Sequence, residues 1–484
     1  MASERKYGLW ISGKWIEPAS GKVLSRRSPA TSELVATFAL AGPSEVEDAA
    51  AAAHSTFLKG SWRETAGSAR AKILNRWADL LEADKERLAR IEADEVGKVI
   101  SAARGEVEWA IELVRYAASL AWNLPGRLVN HEGSDKLGLV TQEPFAVVAM
   151  IVPWNYPIVT LFQKLPFALA AGCSVVVKPS ELTAGTALEC ALLAQKAGIP
   201  DGVINVVPAV GEEVGNVICD SPFIDMISFT GSTRVGSLLA SRAGKKVKKV
   251  ALELGGKGAN VVFGDADIDA AVDGALFGFT ANQGEECCAG GRLFVHESIF
   301  DEFVDRLSTK ARELKIGTAD DASIGALIHK DHFDRVVGFI ESAQDDGATL
   351  ISGGKKPTEK SLANGFFIEP TILTNVKPEM AIFREEVFGP VVCAIPFQTD
   401  DQVVDLVNDT SYGLANGIWT NDLSRALSVS RRIKSGTVYV NAYLETVPQL
   451  PFGGMKDSGM GRENGPEGVL EFMETKSIYV KLKQ

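Results

Sequence analysis

Residues 146–178 read AVVAMIVPWNYPIVTLFQKLPFALAAGCSVVVK, and the fold turns on how this stretch is read. It opens on an unbroken apolar run at 146–152 and closes on a short β-branched run, Ser-Val-Val-Val-Lys, at 174–178. A half-exposed strand would alternate apolar and polar residues, whereas an unbroken run is the pattern of a strand buried on both faces. Similar β-branched runs stand at 137–143, 203–207, 225–229, 249–254 and 260–263, with helix-length segments at 181–197 and 233–243. This alternation predicts a mostly parallel sheet covered by helices, an α/β fold. A second series starts after about residue 265, with helices expected at 268–280 and 299–314 and strands at 391–396 and 437–441. Upstream, Ile73, Trp77, Leu80, Leu81, Leu88 and Ile91 recur at helical spacing and predict one amphipathic helix over 69–96, ending near Gly97. A second stripe (Ala110, Leu113, Tyr116, Ala117, Leu120) predicts another helix before Pro125-Gly126. The tail at 474–482 is a strand with no helix after it, so it must pair with a sheet edge.

At 484 residues the chain is too long for one core, and two or three domains are expected. Hydrophobic residues at 46% and charged residues at 23% are those of a globular chain. A net charge of −12 counts against a nucleic-acid partner. The longest apolar runs, 145–154 and 165–177, are too short for the roughly 20 residues a membrane helix needs, so no membrane partner is expected. No hydrophobic segment of leader length follows the charges of residues 1–6, so no secretory leader is expected. Six cysteines, two of them adjacent, make no disulfide framework and point to a reducing, cytoplasmic compartment.

Neither G-x-x-x-x-G-K-[ST] nor G-x-G-x-x-G at a strand-to-helix turn occurs, so two common nucleotide fingerprints are absent. Phe229-Thr-Gly-Ser-Thr-Arg-Val-Gly236 follows a strand and opens a helix, so it reads either as a phosphate cradle or as an ordinary N-cap. In Asn282-Gln-Gly-Glu-Glu-Cys-Cys-Ala-Gly-Gly-Arg292 the paired cysteines are either a reactive thiol in a glycine-flanked turn or inert core residues. Pro153-Trp-Asn-Tyr-Pro157, Leu252-Glu-Leu-Gly-Gly-Lys257 and Glu385-Glu-Val-Phe-Gly-Pro390 each set polar groups in apolar surroundings, and each alone has a structural explanation.

Together with Lys178-Pro-Ser-Glu181 and Pro451-Phe-Gly-Gly-Met-Lys-Asp-Ser-Gly-Met-Gly-Arg-Glu463, these segments resemble the aldehyde dehydrogenase superfamily in order and spacing over essentially the whole chain. The resemblance implies a Rossmann-like cofactor domain (1–122 and 142–254), an α/β catalytic domain (255–463) and a small β oligomerisation element (123–141 and 464–484), assembled as a homodimer or homotetramer. It implies Cys287 as nucleophile, Asn155 as oxyanion donor and Glu253 as general base for hydrolysis of a thioester to the free acid, with Cys288 left to packing. For the cofactor, NAD with NADP as the alternative, it implies Trp154, Lys178, Ser180, Glu181, Gly231, Ser232, Gly255, Glu386 and Phe388. No metal is implied. A carboxylate at Glu181 suits a ribose diol and repels a 2′-phosphate, and the basic run 245–249 is read as a solvated loop.

One position departs from the family. Glu285 stands where Gln is usual and is followed by Glu286, so either these side chains turn away from Cys287 or they raise its pKa and make the activity optimum alkaline. For the substrate, a helix starting after Asn155 would put Tyr156, Thr160 and Gln163 on one face, joined by 279–281 and 443–447, Tyr443 included. None of these is Arg or Lys, which disfavours a carboxylate-tailed semialdehyde. The rival readings are an NADP-using semialdehyde dehydrogenase and a non-catalytic cofactor-binding protein of the same fold.

Overall fold

The computed structural model describes residues 4–130 and 133–483. Residues 1–3, on which the reading of the N-terminus partly rests, lie outside these. Two large sheets dominate. In the first, the parallel strands Val147–Ile151, Ser174–Lys178, Ile204–Val206, Met226–Thr230 and Lys249–Glu253 build the centre of an eight-stranded sheet. Val147–Ile151 lies in the middle; the chain adds two strands on one side of it, then crosses and adds two on the other. Open α/β sheets place ligands at such a switch point, outside the carboxyl ends of the strands.

The unbroken apolar runs have the cause their pattern predicts. Val148, Met150, Val175 and Val177 face one core, and Val147, Ala149 and Val176 face another on the opposite side of the sheet. The first core is closed by Gly67–Ala83, Ile100–Leu120, Leu165–Ala171 and Gly185–Ala197. Its far edge is extended by Leu9–Ile11 and Lys14–Ile16, which the sequence pattern did not announce.

The second, seven-stranded sheet is built from residues 259–440, with Ala259–Val262 between Arg292–His296 and Ala415–Trp419. All its pairings are parallel except at the edge strand Thr349–Ser352.

Three expectations need correction, the third being the run at 137–143, which joins a small antiparallel sheet instead of the parallel one. The single helix over 69–96 is two, Gly67–Ala83 and Lys85–Val96, broken at Asp84. There the backbone leaves helical values (φ −107°, ψ 10°) while the carboxylate accepts from Arg87 Nε at 2.9 Å. The second helix does end at Gly97, left-handed at φ 94°. The segment at 181–197 starts its helix only at Gly185, because Ser180 Oγ accepts the Leu182 N–H and its carbonyl accepts the Thr183 N–H in a turn. The tail strand, Met473–Lys481, pairs antiparallel with Lys136–Pro144 of its own chain along its full length, and Arg127–Val129 completes a three-stranded sheet. Among the described residues no helix is long and apolar enough to cross a membrane.

Candidate active site

Register brings the first sheet's functional segments to one rim. Ile151 is level with both Lys178 and Phe229, and Thr230 with Glu253. A cavity of about 1090 Å³ opens there, lined by residues from both large sheets. Trp154, Asn155, Gly231, Ser232, Gly255, Cys287, Glu386 and Phe388 lie on its wall, as do Tyr156, Thr160 and Gln163. Lys178, Ser180, Glu181, Glu253 and Tyr443 lie off it.

The cysteine loop leaves the helix Ile268–Thr280 through a turn in which Asn282 (φ 48°), Gln283 (φ 49°) and Gly284 (φ 73°) are all left-handed. Such backbone costs a non-glycine residue about 1 kcal/mol or more. Specific bonds hold it. Asn282 Nδ2 donates to the carbonyls of Asn155 (3.0 Å) and Glu285 (3.2 Å), and Asn155 Nδ2 donates to that same Glu285 carbonyl at 2.9 Å. The Asn155 amide is thereby fixed against the loop that carries Cys287, with its second N–H uncommitted.

The two glutamates before Cys287 part company. Glu285 is fully buried and turned away, its carboxylate accepting from Gln283 Nε2 (2.9 Å) and the Ile328 N–H (2.8 Å), and burial pushes its pKa up to about 8. Glu286 faces the sulfur: its Oε1 accepts the Cys288 N–H at 3.0 Å and the Cys287 thiol at 3.4 Å. The Cys287 thiol is pushed well above its ordinary value by its bond to Cys288, by burial, and by the charges of Cys288, Glu286 and Glu386. Cys288 is packed against Leu414 and Ala415.

Glu253 ends its strand buried, with Oε2 lacking a hydrogen-bond partner. Burial pushes its pKa up to about 8, against the opposing pull of Lys164 and Arg462. Lys164 is itself fully buried and paired with Glu463; burial pushes it down to about 8, while Glu253 and Cys287 pull it back up.

On the other wall, Ser232 caps the helix Thr233–Gly244, its Oγ accepting the Val235 N–H at 3.4 Å. A Cβ on Gly231 would fall 2.5 Å from the Phe229 ring, and Thr230 Oγ1, on the same wall, is buried without a partner. Glu386 Oε1 accepts the Gly256 N–H at 2.9 Å, and its other oxygen lies 2.6 Å from where a Cβ on Gly255 would be. Phe388 is left-handed (φ 62°), held by His332 Nε2 on its carbonyl at 2.7 Å and by Trp154, edge-on to its ring at 5.4 Å. Burial pushes His332 down to about 4, so it is neutral and donates from Nε2. Lys178 Nζ meets Glu181 Oε2 at 3.3 Å beyond this wall.

A model of the aldehyde dehydrogenase family matches residues 15–478. The chain belongs to that family. It is 41% identical to the cytosolic aldehyde dehydrogenase 1 of Rattus norvegicus, over 98% of this chain and 95% of that one. The crystal structure of an NAD-dependent aldehyde dehydrogenase from Sinorhizobium meliloti superposes with a TM-score of 0.97 at 42% identity, covering 99% of this chain and 96% of that one. Betaine aldehyde dehydrogenase from Staphylococcus aureus, solved in complex with NAD+, superposes at 0.96 and 35% identity, covering 99% and 95%.

In this aldehyde dehydrogenase the face on Tyr156 forms as expected: the helix Pro157–Phe162 has Tyr156 as its N-cap residue, and Thr160 Oγ1 donates to the Tyr156 carbonyl at 2.8 Å. Of residues 279–281, Thr280 and Ala281 reach the wall while Phe279 lies beneath it. Tyr443 also lies beneath it, its hydroxyl donating to the Cys288 carbonyl at 3.0 Å. Left-handed residues on either side, Asn441 (φ 51°) and Leu444 (φ 59°), turn Tyr443 inward and leave Leu444, Glu445 and Thr446 on the wall.

Sequence reasoning missed the buried cations. Lys98 donates to the Asn155 carbonyl at 2.9 Å, pairs with Glu106 and sits 4.5 Å over the Tyr156 ring. Glu92 Oε1 accepts the Ile158 N–H at 3.2 Å, next along the same segment. The one available signal for Lys164 was its position between the largely apolar stretches 157–162 and 165–171, beside Gln163.

Proposed function

We propose that this protein oxidises an aldehyde to its carboxylic acid with NAD, through a thioester on Cys287. The observation that carries the reading is the Asn155 amide bonded into the loop of Cys287, on the wall of a cavity whose other side holds Ser232, Gly255 and Glu386.

A bare aldehyde is a poor hydride donor, so covalent attack must come first. Cys287 Sγ adds to the carbonyl carbon, and the free N–H of Asn155 meets the charge that develops on oxygen; losing such a donor costs roughly 3–4 kcal/mol of barrier. NAD, when bound, accepts the hydride that the tetrahedral adduct gives up. Gly231 and Ser232 would hold its diphosphate at a helix N-terminus, beside the unpartnered Thr230 hydroxyl. Glu386 would take the nicotinamide ribose, with Trp154 and Phe388 packed beside it, and Lys178, Ser180 and Glu181 would take the adenosine end. Glu253 then activates water against the thioester, and because its base form grows in as pH rises through about 8, hydrolysis quickens across that range.

Glu181 favours NAD over NADP. Among the described residues the single arginine on the wall, Arg335, donates to the Glu386 carbonyl at 2.8 Å on the cofactor side. Around the aldehyde the charged wall residues are Glu106 and Asp273, paired with Lys98 and Lys310, and Glu286 and Glu445, which favours uncharged or cationic aldehydes over carboxylate-bearing ones. Residues 1–122 with 142–254 form the cofactor domain and 255–463 the catalytic one. The three-stranded sheet, whose outer strand leaves Ile478 and Tyr479 exposed, joins subunits into a homodimer or homotetramer. All six cysteines are free, which suits the cytoplasm.

The test is NADH formation over short aliphatic, aromatic, amino and carboxylate-bearing aldehydes, each with NAD and NADP, for wild type and Cys287→Ala. Turnover by wild type alone, fastest with NAD, supports the reading. Full activity in Cys287→Ala, or cofactor binding with no turnover on any aldehyde, would overturn it.

A further inference from the structure

Glu286 has no part in the mechanism above, yet its carboxylate touches the reacting sulfur. The attack needs Cys287 as thiolate, while bonding to Cys288, burial and neighbouring charge all favour the thiol. A proton acceptor must therefore act at the moment of attack. Glu253 is not bonded to the Cys287 thiol: its carboxylate lies against Gly453 and in the field of Lys164, a reach that needs an intervening water. Glu286 is in place: its Oε1 accepts the Cys287 S–H at 3.4 Å, and the Cys288 N–H, at 3.0 Å to the same oxygen, pins the carboxylate there.

We propose that Glu286 is a catalytic residue, the general base that takes the Cys287 proton as the sulfur attacks. The proposal rests on Cys287 being the nucleophile. The balance is complete without any further reagent. The S–H proton moves to the Glu286 carboxylate as the S–C bond forms and the carbonyl π pair becomes the oxyanion. When hydrolysis breaks that S–C bond, the departing thiolate takes the proton back from Glu286. Glu253 handles only the proton of the attacking water, so the two carboxylates serve separate halves of the cycle.

The titratable groups in the field of Glu286 are the hydroxyls of Tyr156, Tyr439 and Tyr443, the two cysteines, and Glu386. None of these is a cation. Lys98 lies across the Tyr156 ring and is paired with Glu106.

The proposal is testable because a bystander carboxylate and a base have opposite signs. A negative bystander disfavours the thiolate, so its removal would speed Cys287. Removal of a base slows it, typically by about 10²-fold or more. The measurements are kcat/KM with the best aldehyde, the rate of the first-turnover NADH burst, and alkylation of Cys287 by iodoacetamide read from peptide mass, each from pH 6 to 10.5. For Glu286→Gln we expect roughly a 10²-fold loss in kcat/KM and burst rate at pH 7, with slowed alkylation. The deficit closes toward high pH, where the thiol ionises unaided. Glu286→Asp, which keeps the charge, regains part of the loss and shows that the Gln variant's defect is not one of folding. Rates in Glu286→Gln equal to or above wild type at pH 7 would overturn the proposal while leaving Cys287 as nucleophile. Retained activity in Cys287→Ala would overturn both.

Discussion

The Glu285 carboxyl illustrates how burial alone sets a charge state. Its two hydrogen bonds and distant cations do not offset desolvation, and its pKa stands at about 8 against an ordinary 4.5. The folded state therefore keeps a proton that the unfolded chain releases. Its contribution to stability is full below about 4.5 and is lost as pH rises through about 8. His332, shifted down from 6.5 to about 4, opposes this slope only near pH 6.5, where the unfolded imidazole still holds part of a proton, and the opposition fades as pH rises toward 8. Urea unfolding of the free enzyme from pH 6.5 to 8 is expected to show stability falling with pH. Glu285→Gln should flatten that slope by up to one proton, about 1.4 kcal/mol per pH unit; an unchanged slope would contradict the assignment. Glu253 gives the kinetic counterpart, a hydrolytic step that accelerates from pH 7 to 9 as its carboxyl ionises near 8, and steady-state turnover after the burst measures it. At this scale the sequence displayed the residues proposed to react, because Cys287, Asn155 and Glu253 sit in motifs. It did not display their charge states, since Glu285 and Glu286 are identical in sequence terms and only the fold turns one away from the sulfur.

The elements that carry the site are tied together by buried ions. Lys98 follows the helix Lys85–Val96 and reaches the Asn155 carbonyl, so the oxyanion segment is anchored to a helix hairpin far from it in sequence. Lys98→Met leaves Glu106 buried without its partner, a loss expected to cost about 3–5 kcal/mol in urea unfolding. Adding Glu106→Gln should restore much of the stability but not the kcat/KM. Recovery of both would reduce Lys98 to a structural role. The strands were legible because a run buried on both faces has its own pattern, whereas the registers of Val147–Ile151 with its neighbours were not, since a run apolar on both faces does not fix them. The break at Asp84 was not, because helical spacing continues through it without Gly or Pro. Nor was the inward turn of Tyr443, which depends on left-handed backbone at Asn441 and Leu444. A buried lysine such as Lys98 reads in sequence like any surface lysine.

At the scale of the molecule, the cavity lies between two sheets that can be linked by whatever fills it. A dinucleotide that binds only the folded chain stabilises it by about 2.7 kcal/mol at a hundred times its Kd. NAD is therefore expected to raise the thermal midpoint more than equal NADP, and Glu181→Ala to narrow the difference; equal shifts in the wild type would remove Glu181 as the discriminator. The α/β architecture was readable from strand and helix rhythm, while the three-part organisation was reached through the family resemblance. The N-terminal strands that extend the first sheet, Leu9–Ile11 and Lys14–Ile16, were too short to stand out.

The central claim is a thioester on Cys287 that Glu253 clears. Its most direct test is the peptide mass of Glu253→Gln, acid-quenched after mixing with NAD and aldehyde. The account predicts one equivalent of NADH, followed by stalled turnover and the acyl mass on Cys287. Continued wild-type turnover, or an adduct on Cys288 instead, would contradict it.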